Sequence, residues 1–191
     1  LLGKGDRGRA FGNYQAMALA ESSAFTDQWR TVYHFHTIAA HEVFWGVFAD
    51  QLDGLLHPDY TDEEIRREVA NFGVSKDPDG TLRLEEGGTV YNEMVRTYES
   101  PVTLLWDAAG RMIYGERHPL AMSAGGVPDH IRTMTPEDIR RFHASTHYLG
   151  NMGMIGAFPA SMALGDVLDQ TAAILDRLGD RTGDAMQYDE L

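Results

Sequence analysis

The sequence predicts an α+β domain in which helices are layered on one face of a mainly antiparallel sheet. Three observations carry this. Amphipathic helical stripes dominate the chain, a few segments with a two-residue period interrupt them at non-consecutive places, and no glycine-rich phosphate loop of the kind that opens parallel α/β folds is present. The length of 191 residues, with 43% hydrophobic and 10% aromatic content, is enough for one compact domain with its own core.

In chain order, Phe11 to Glu21 reads as a short helix, with Tyr14, Met17, Ala18 and Glu21 at helical spacing. Ala24 to Thr37 is rich in aromatic and β-branched residues. Thr31, Tyr33 and Phe35 alternate there with Val32, His34 and His36, as strands require. Ile38 to Leu56 sets Val43, Phe44, Val47, Phe48, Leu52 and Leu55 on one helical stripe, and His57-Pro58 ends it. Thr61-Asp62-Glu63-Glu64 has the form of a capping box, which opens a helix predicted to reach Phe72. Asp77-Pro78-Asp79-Gly80 is a turn, because proline fixes φ and glycine accepts a positive one.

Gly87 to Tyr98 reads as helix. Pro101 opens another that ends near Tyr114-Gly115 and bears Val102, Leu105, Trp106, Ala109 and Ile113 on its apolar face. His118 to Pro128 reads as loop. Thr135-Pro136-Glu137-Asp138 caps a helix running to about Tyr148, Met152 to Phe158 is predicted to be a short buried strand, and Met162 to Leu178 a last amphipathic helix. The tail 179–191 is polar and aperiodic and is expected to be poorly ordered.

Composition narrows the function classes. A formal net charge of −13 and a pI near 4.9 disfavour nucleic-acid and anionic-membrane partners, whose phosphates would repel such a surface. Cysteine is absent, which removes disulfides, thiolate metal sites and cysteine nucleophiles, and leaves His, Asp and Glu as the side chains for any metal. The longest apolar runs, Val43 to Ala49 and Met152 to Phe158, fall well short of the roughly 20 residues that cross a bilayer. A soluble protein is expected, and the lack of cysteine is compatible with a reducing, cytoplasmic interior.

Three histidine patterns invite a metal reading. His41-Glu42 begins like a zincin motif, but Trp45 stands where the second histidine belongs. His143 and His147 lie four apart on a predicted helix, and His34 and His36 share a strand face; both pairs are common accidents of spacing. Glu93, on the helix that follows Gly88, reads in isolation as a solvent-facing carboxylate.

Glu93 gains meaning from its neighbours. Gly88-Thr89-Val90-Tyr91-Asn92-Glu93-Met94 belongs to an ordered series with Leu1-Leu2-Gly3-Lys4-Gly5, with Ser23-Ala24-Phe25-Thr26 followed by Thr31 and Tyr33, and with Glu64 to Gly73 around Glu68. The series continues through Asp77-Pro78, Ser123-Ala124-Gly125-Gly126, Thr135-Pro136-Glu137-Asp138-Ile139 with Phe142-His143, and Tyr148 to Asn151. Taken together, it resembles the presequence-protease branch of the pitrilysin/insulinase superfamily, zinc metallopeptidases with an inverted His-x-x-Glu-His motif. Ser23 replaces the family's common asparagine, Ile65 fills a slot that is usually phenylalanine, and Leu149 stands where proline is normal.

The resemblance implies a metallopeptidase domain of the pitrilysin/mitochondrial-processing-peptidase type, incomplete over 1–178. Glu93 would be the third zinc ligand. Two histidine ligands and the general-base glutamate would precede Leu1, so the chain alone is expected to lack catalytic residues and to be inactive. Ser23, Ala24, Phe25 and Thr26 would form the edge strand that docks an extended peptide substrate, while His143 would belong to a structural helix. The partners implied are a short or unfolded peptide and a second homologous domain or half of the same protein. The alternative is a non-catalytic homologue acting as a scaffold or partner subunit.

Overall fold

The computed structural model describes residues 21–179 of the chain, so Leu1 to Gly5, most of the predicted first helix and residues 180–191 of the tail lie outside the described residues. The described part is α+β. Strands β1 (Glu21–Thr26) and β2 (Thr31–His36) form one antiparallel hairpin, and β3 (Asn71–Lys76) and β4 (Leu82–Gly87) form another. Seven α-helices are described: α1 (His41–Leu56), α2 (Asp62–Glu68), α3 (Thr89–Tyr98), α4 (Pro101–Tyr114), α5 (Pro128–Ile131), α6 (Pro136–Thr146) and α7 (Leu164–Leu178). Short 3₁₀ turns occur at Pro119–Ala121 and Leu149–Asn151.

Local chemistry sets most boundaries. Thr61 and Glu64 form the reciprocal capping box that starts α2, and Thr135 and Asp138 do the same for α6. Pro101 occupies the first turn of α4, where its missing N–H costs nothing, and Gly115 with φ 89° closes it. The β1–β2 turn is held by Asp27, whose Oδ1 accepts the amides of Trp29 (2.8 Å) and Arg30 (2.9 Å). Those bonds, the Trp29 amide first, hold the Asp27 carboxyl below the usual range.

Several elements differ from the sequence reading. The α2 helix stops at Glu68 and does not reach Phe72, because Asn71 Nδ2 turns back onto the carbonyls of Arg66 (3.3 Å) and Arg67 (3.2 Å) and the chain enters β3. The Asp77-Pro78-Asp79-Gly80 turn is present, and it closes a hairpin whose two strands were not foreseen. Glu21 begins β1 where helix was expected. Likewise α1 starts at His41, leaving Ile38 fully exposed, and α6 ends at Thr146.

Met152 to Phe158 is not a buried strand. It has no strand partner among the described residues, Met154 and Ile155 are exposed, and the aromatic ring of Phe158 packs on Phe44 and Trp45. A run of apolar residues becomes a strand only when a second edge supplies its ladder. The α4 helix has the predicted bounds, yet Val102, Leu105, Trp106 and Ile113 are exposed at 61 to 72%. No helix among the described residues is long and apolar enough to cross a membrane.

The core gathers where α2, α3 and α5 meet. Ile65, Val69, Tyr91, Met94 and Ile131 are buried together, with Tyr60, Ala70, Val95, Tyr98 and Ile139 around them. Arg140 of α6 reaches Asp62 at the start of α2 (2.6 Å), adding a partly exposed ion pair at the rim.

Gly88 joins β4 to α3 at φ 124°, and a Cβ there would come within 2.6 Å of the Val69 carbonyl oxygen and 2.8 Å of Ala70 Cα. Both the conformation and the close approach demand glycine. Gly88→Ala is therefore expected to lower the unfolding free energy by about 2–4 kcal/mol in chemical denaturation. Gly165→Ala, at a helical position with open space around it, should instead raise stability by about 0.4–1 kcal/mol.

Candidate functional site

The site is built on α3, and its orientation follows from the pattern of that one helix. Tyr91, Met94, Val95 and Tyr98 face the core cluster, so Thr89, Asn92, Glu93, Arg96 and Thr97 fall on the opposite side. Those five residues form an open polar stripe along the helix, and Glu93 projects from its middle as an exposed side chain.

Three contacts fix the helix. The Tyr91 amide donates to the Val69 carbonyl (3.1 Å), satisfying a first-turn donor that no intrahelical carbonyl can reach. The Tyr91 hydroxyl donates to Glu86 Oε2 (2.6 Å) on β4, and Arg132 donates to the same carboxylate oxygen (2.8 Å) and to the Tyr91 hydroxyl (3.0 Å). The Arg132 guanidinium also lies 5.8 Å from the Tyr91 ring centroid, and its pKa is raised by the Tyr91 hydroxyl first and Glu86 second. The third contact is Met94 against Gly125, where a Cβ would collide with the Met94 sulfur. A glycine in the Ser123-Ala124-Gly125-Gly126 loop thus lets the helix seat fully.

Ser23, Ala24, Phe25 and Thr26 lie in β1, in register with His34, Tyr33, Val32 and Thr31 of β2. All four are exposed, and the other edge of β1 has no strand partner among the described residues. That edge presents backbone donors and acceptors of the kind an added strand would pair with.

The remaining histidines are accounted for differently. His143 Nε2 donates to the Leu55 carbonyl (2.7 Å), His147 Nε2 meets the Tyr33 hydroxyl (3.0 Å), and the two rings stack at 4.6 Å. Their nitrogens are turned to separate protein partners and do not converge on a point between them. His41 lines a hollow of about 200 Å³ with Trp45, Met162, Asp166 and Gln170. Among the described residues, no group of three or more His, Asp or Glu side chains is placed to hold a metal.

A zinc ion needs about three protein ligands with one position left for water. Glu93 could supply at most one, so the described residues do not by themselves make a zinc site. The Glu86, Tyr91 and Arg132 cluster escaped the sequence reading because its members are 41 and 46 residues apart from Arg132, with no local pattern joining them.

No family model matches the chain. It is similar to Uncharacterized protein YOL098C of Saccharomyces cerevisiae, with 31% identity over 143 residues, which is 73% of this chain and 13% of that protein. It is also similar to Protein HypA of Clostridium perfringens, with 33% identity over 102 residues, 52% of this chain and 10% of that protein. The chain therefore spans about a tenth of the length of these curated relatives.

Two substitutions separate anchoring from exposure on α3. Tyr91→Phe removes a hydroxyl bonded to two charged groups and should cost about 1–3 kcal/mol in unfolding free energy. Glu93→Gln, on the exposed stripe, should stay within about 0.5 kcal/mol of the parent in the same denaturation experiment.

Proposed function

We propose that this chain is part of a zinc-dependent metalloendopeptidase of the pitrilysin/insulinase superfamily, presequence-protease branch, acting on short or unfolded peptides. In this reading Glu93 is one zinc ligand, and two histidines and the general-base glutamate come from sequence preceding Leu1. The carrying observation is the placement of Glu93 on the side of α3 away from the core, where its side chain is exposed. A ligand that must share its metal with side chains from elsewhere in the polypeptide has to face open space, and this one does.

The exposed edge of β1 supports the peptide part of the reading. Backbone pairing along Ser23, Ala24, Phe25 and Thr26 would bind an extended chain with little regard for its side chains, which suits unstructured substrates. Zinc, when bound in the complete protein, would lower the pKa of its water to about 7 and polarise the scissile carbonyl. A second homologous domain or half would complete the chamber around the peptide.

The test uses the polypeptide as its gene encodes it, with whatever precedes Leu1 included. It should contain one zinc per chain and cleave an unstructured peptide, and Glu93→Gln should weaken zinc binding at least tenfold and abolish cleavage. The 191-residue chain alone should do neither. Zinc content and cleavage unaffected by Glu93→Gln would remove Glu93 from the site. An encoded polypeptide that folds but binds no zinc would favour a non-catalytic scaffold or partner subunit.

A further inference from the structure

The β1–β2 hairpin meets the helical body through few side chains among the described residues. The Tyr33 ring lies edge-on to His147 at the end of α6, and Phe35 packs on Phe44 of α1 with centroids 5.2 Å apart. An isolated two-stranded hairpin is marginal in water, so these contacts decide whether it stays docked.

The hydrogen bonds at His147 fix its protonation state. Thr146 Oγ1 donates its proton to the Phe142 carbonyl (2.7 Å), since a carbonyl can only accept. The same oxygen lies 2.8 Å from His147 Nδ1 and must accept there, which places the imidazole proton on Nδ1. Nε2 is then left as an acceptor for the Tyr33 hydroxyl at 3.0 Å. Burial raises the Tyr33 pKa, so this hydroxyl keeps the proton that it donates.

We propose that the Tyr33–His147 hydrogen bond is an acid-sensitive latch that docks the β1–β2 hairpin onto α6, and that protonation of His147 releases the hairpin while the core stays folded. A proton added to Nε2 would force the Tyr33 hydroxyl to turn from donor to acceptor and would place a cation inside a half-buried site against a second imidazole. The titratable groups facing His147 are Tyr33 from β2 and, one turn earlier on α6, His143; Tyr60 packs edge-on against His143 from the segment after α1, and the Leu55 carbonyl holds its Nε2. The C-terminal end of α6 favours a cation at this position. Burial first, and the His143 imidazole second, outweigh it and bring the His147 pKa down to about 4.

The sign follows from linkage. A histidine at about 4 when docked, and nearer its ordinary 6.5 once the hairpin no longer covers it although His143 stays beside it, binds more protons in the released state, so docking weakens as pH falls from about 6.5 towards about 4 and is flat outside this window. The hairpin's own charge pairs do not explain such a loss. The Asp27 carboxyl that holds the turn with Arg30 is kept below the usual carboxylate range, so its contribution is lost only at about pH 4 and below, beneath most of the window in which His147 acts. This inference stands apart from the peptidase reading, although a released hairpin would carry the β1 edge with it.

Amide hydrogen exchange on the 191-residue chain tests the latch, with rates corrected for the intrinsic effect of pH. Protection of the β1 and β2 ladder amides should fall by up to about tenfold between pH 7 and pH 5.5 and by up to about 100-fold near pH 4. Protection at Ile65, Val69, Met94 and Ile131 should hold through pH 5.5. His147→Gln keeps an acceptor that does not titrate and should flatten the hairpin profile, whereas Tyr33→Phe should raise hairpin exchange already at pH 7. Ring nitrogen shifts at pH 7 should report the Nδ1–H form of His147. The latch is overturned if hairpin protection is independent of pH, if hairpin and core amides open in step, or if the His147→Gln profile still falls with acid.

Discussion

The packing of α3 onto α2 and α5 is the constraint on which the rest depends. Tyr91 and Met94 enter the cluster of Ile65, Val69 and Ile131, and this burial fixes the rotation of the helix about its axis. Everything on the far side of α3 is placed as a consequence: with Met94 inward, Glu93 has to face outward. The approach is close enough that Gly88 cannot carry a side chain, and a Cβ at Gly125 would push aside the end of the Met94 side chain. The Glu86, Tyr91 and Arg132 contacts then tie β4 and α5 to the same helix.

Against this anchored centre, apolar surface elsewhere is open. Among the described residues, the exposed large hydrophobics outnumber the buried ones. They include one side of α4 and, on one face of the β3–β4 hairpin, Phe72, Val74, Leu82 and Leu84, whose neighbours across the strands alternate with polar residues on the other face. Surfaces of this kind mark places where a protein meets something else. The homologous regions of the curated relatives lie within chains roughly ten times the matched length.

Much of the fold was legible in the sequence where local chemistry decides it. The capping boxes at Thr61 and Thr135, Pro101 at the start of α4 and the Asp77 to Gly80 turn act within a few residues, and each stands where the pattern placed it. Pairing across distance was not legible. Asn71 ending α2, β4 forming opposite β3, and Met152 to Phe158 remaining without a ladder all depend on partners that periodicity does not name. The same division holds at the site. The stripe bearing Glu93 follows from helical spacing, while Arg132 reaching Tyr91, and Tyr33 reaching His147 across 114 positions, could be found only in three dimensions.

Carbodiimide labelling of the native 191-residue chain, read residue by residue, tests the orientation of α3 most directly. Glu93 should react at close to its rate in the denatured chain, while Glu86, bonded to Tyr91 and Arg132, should be protected. A protected Glu93 beside a freely reactive Glu86 would mean that the helix is turned the other way, and the proposal of Glu93 as a metal ligand would fall with it.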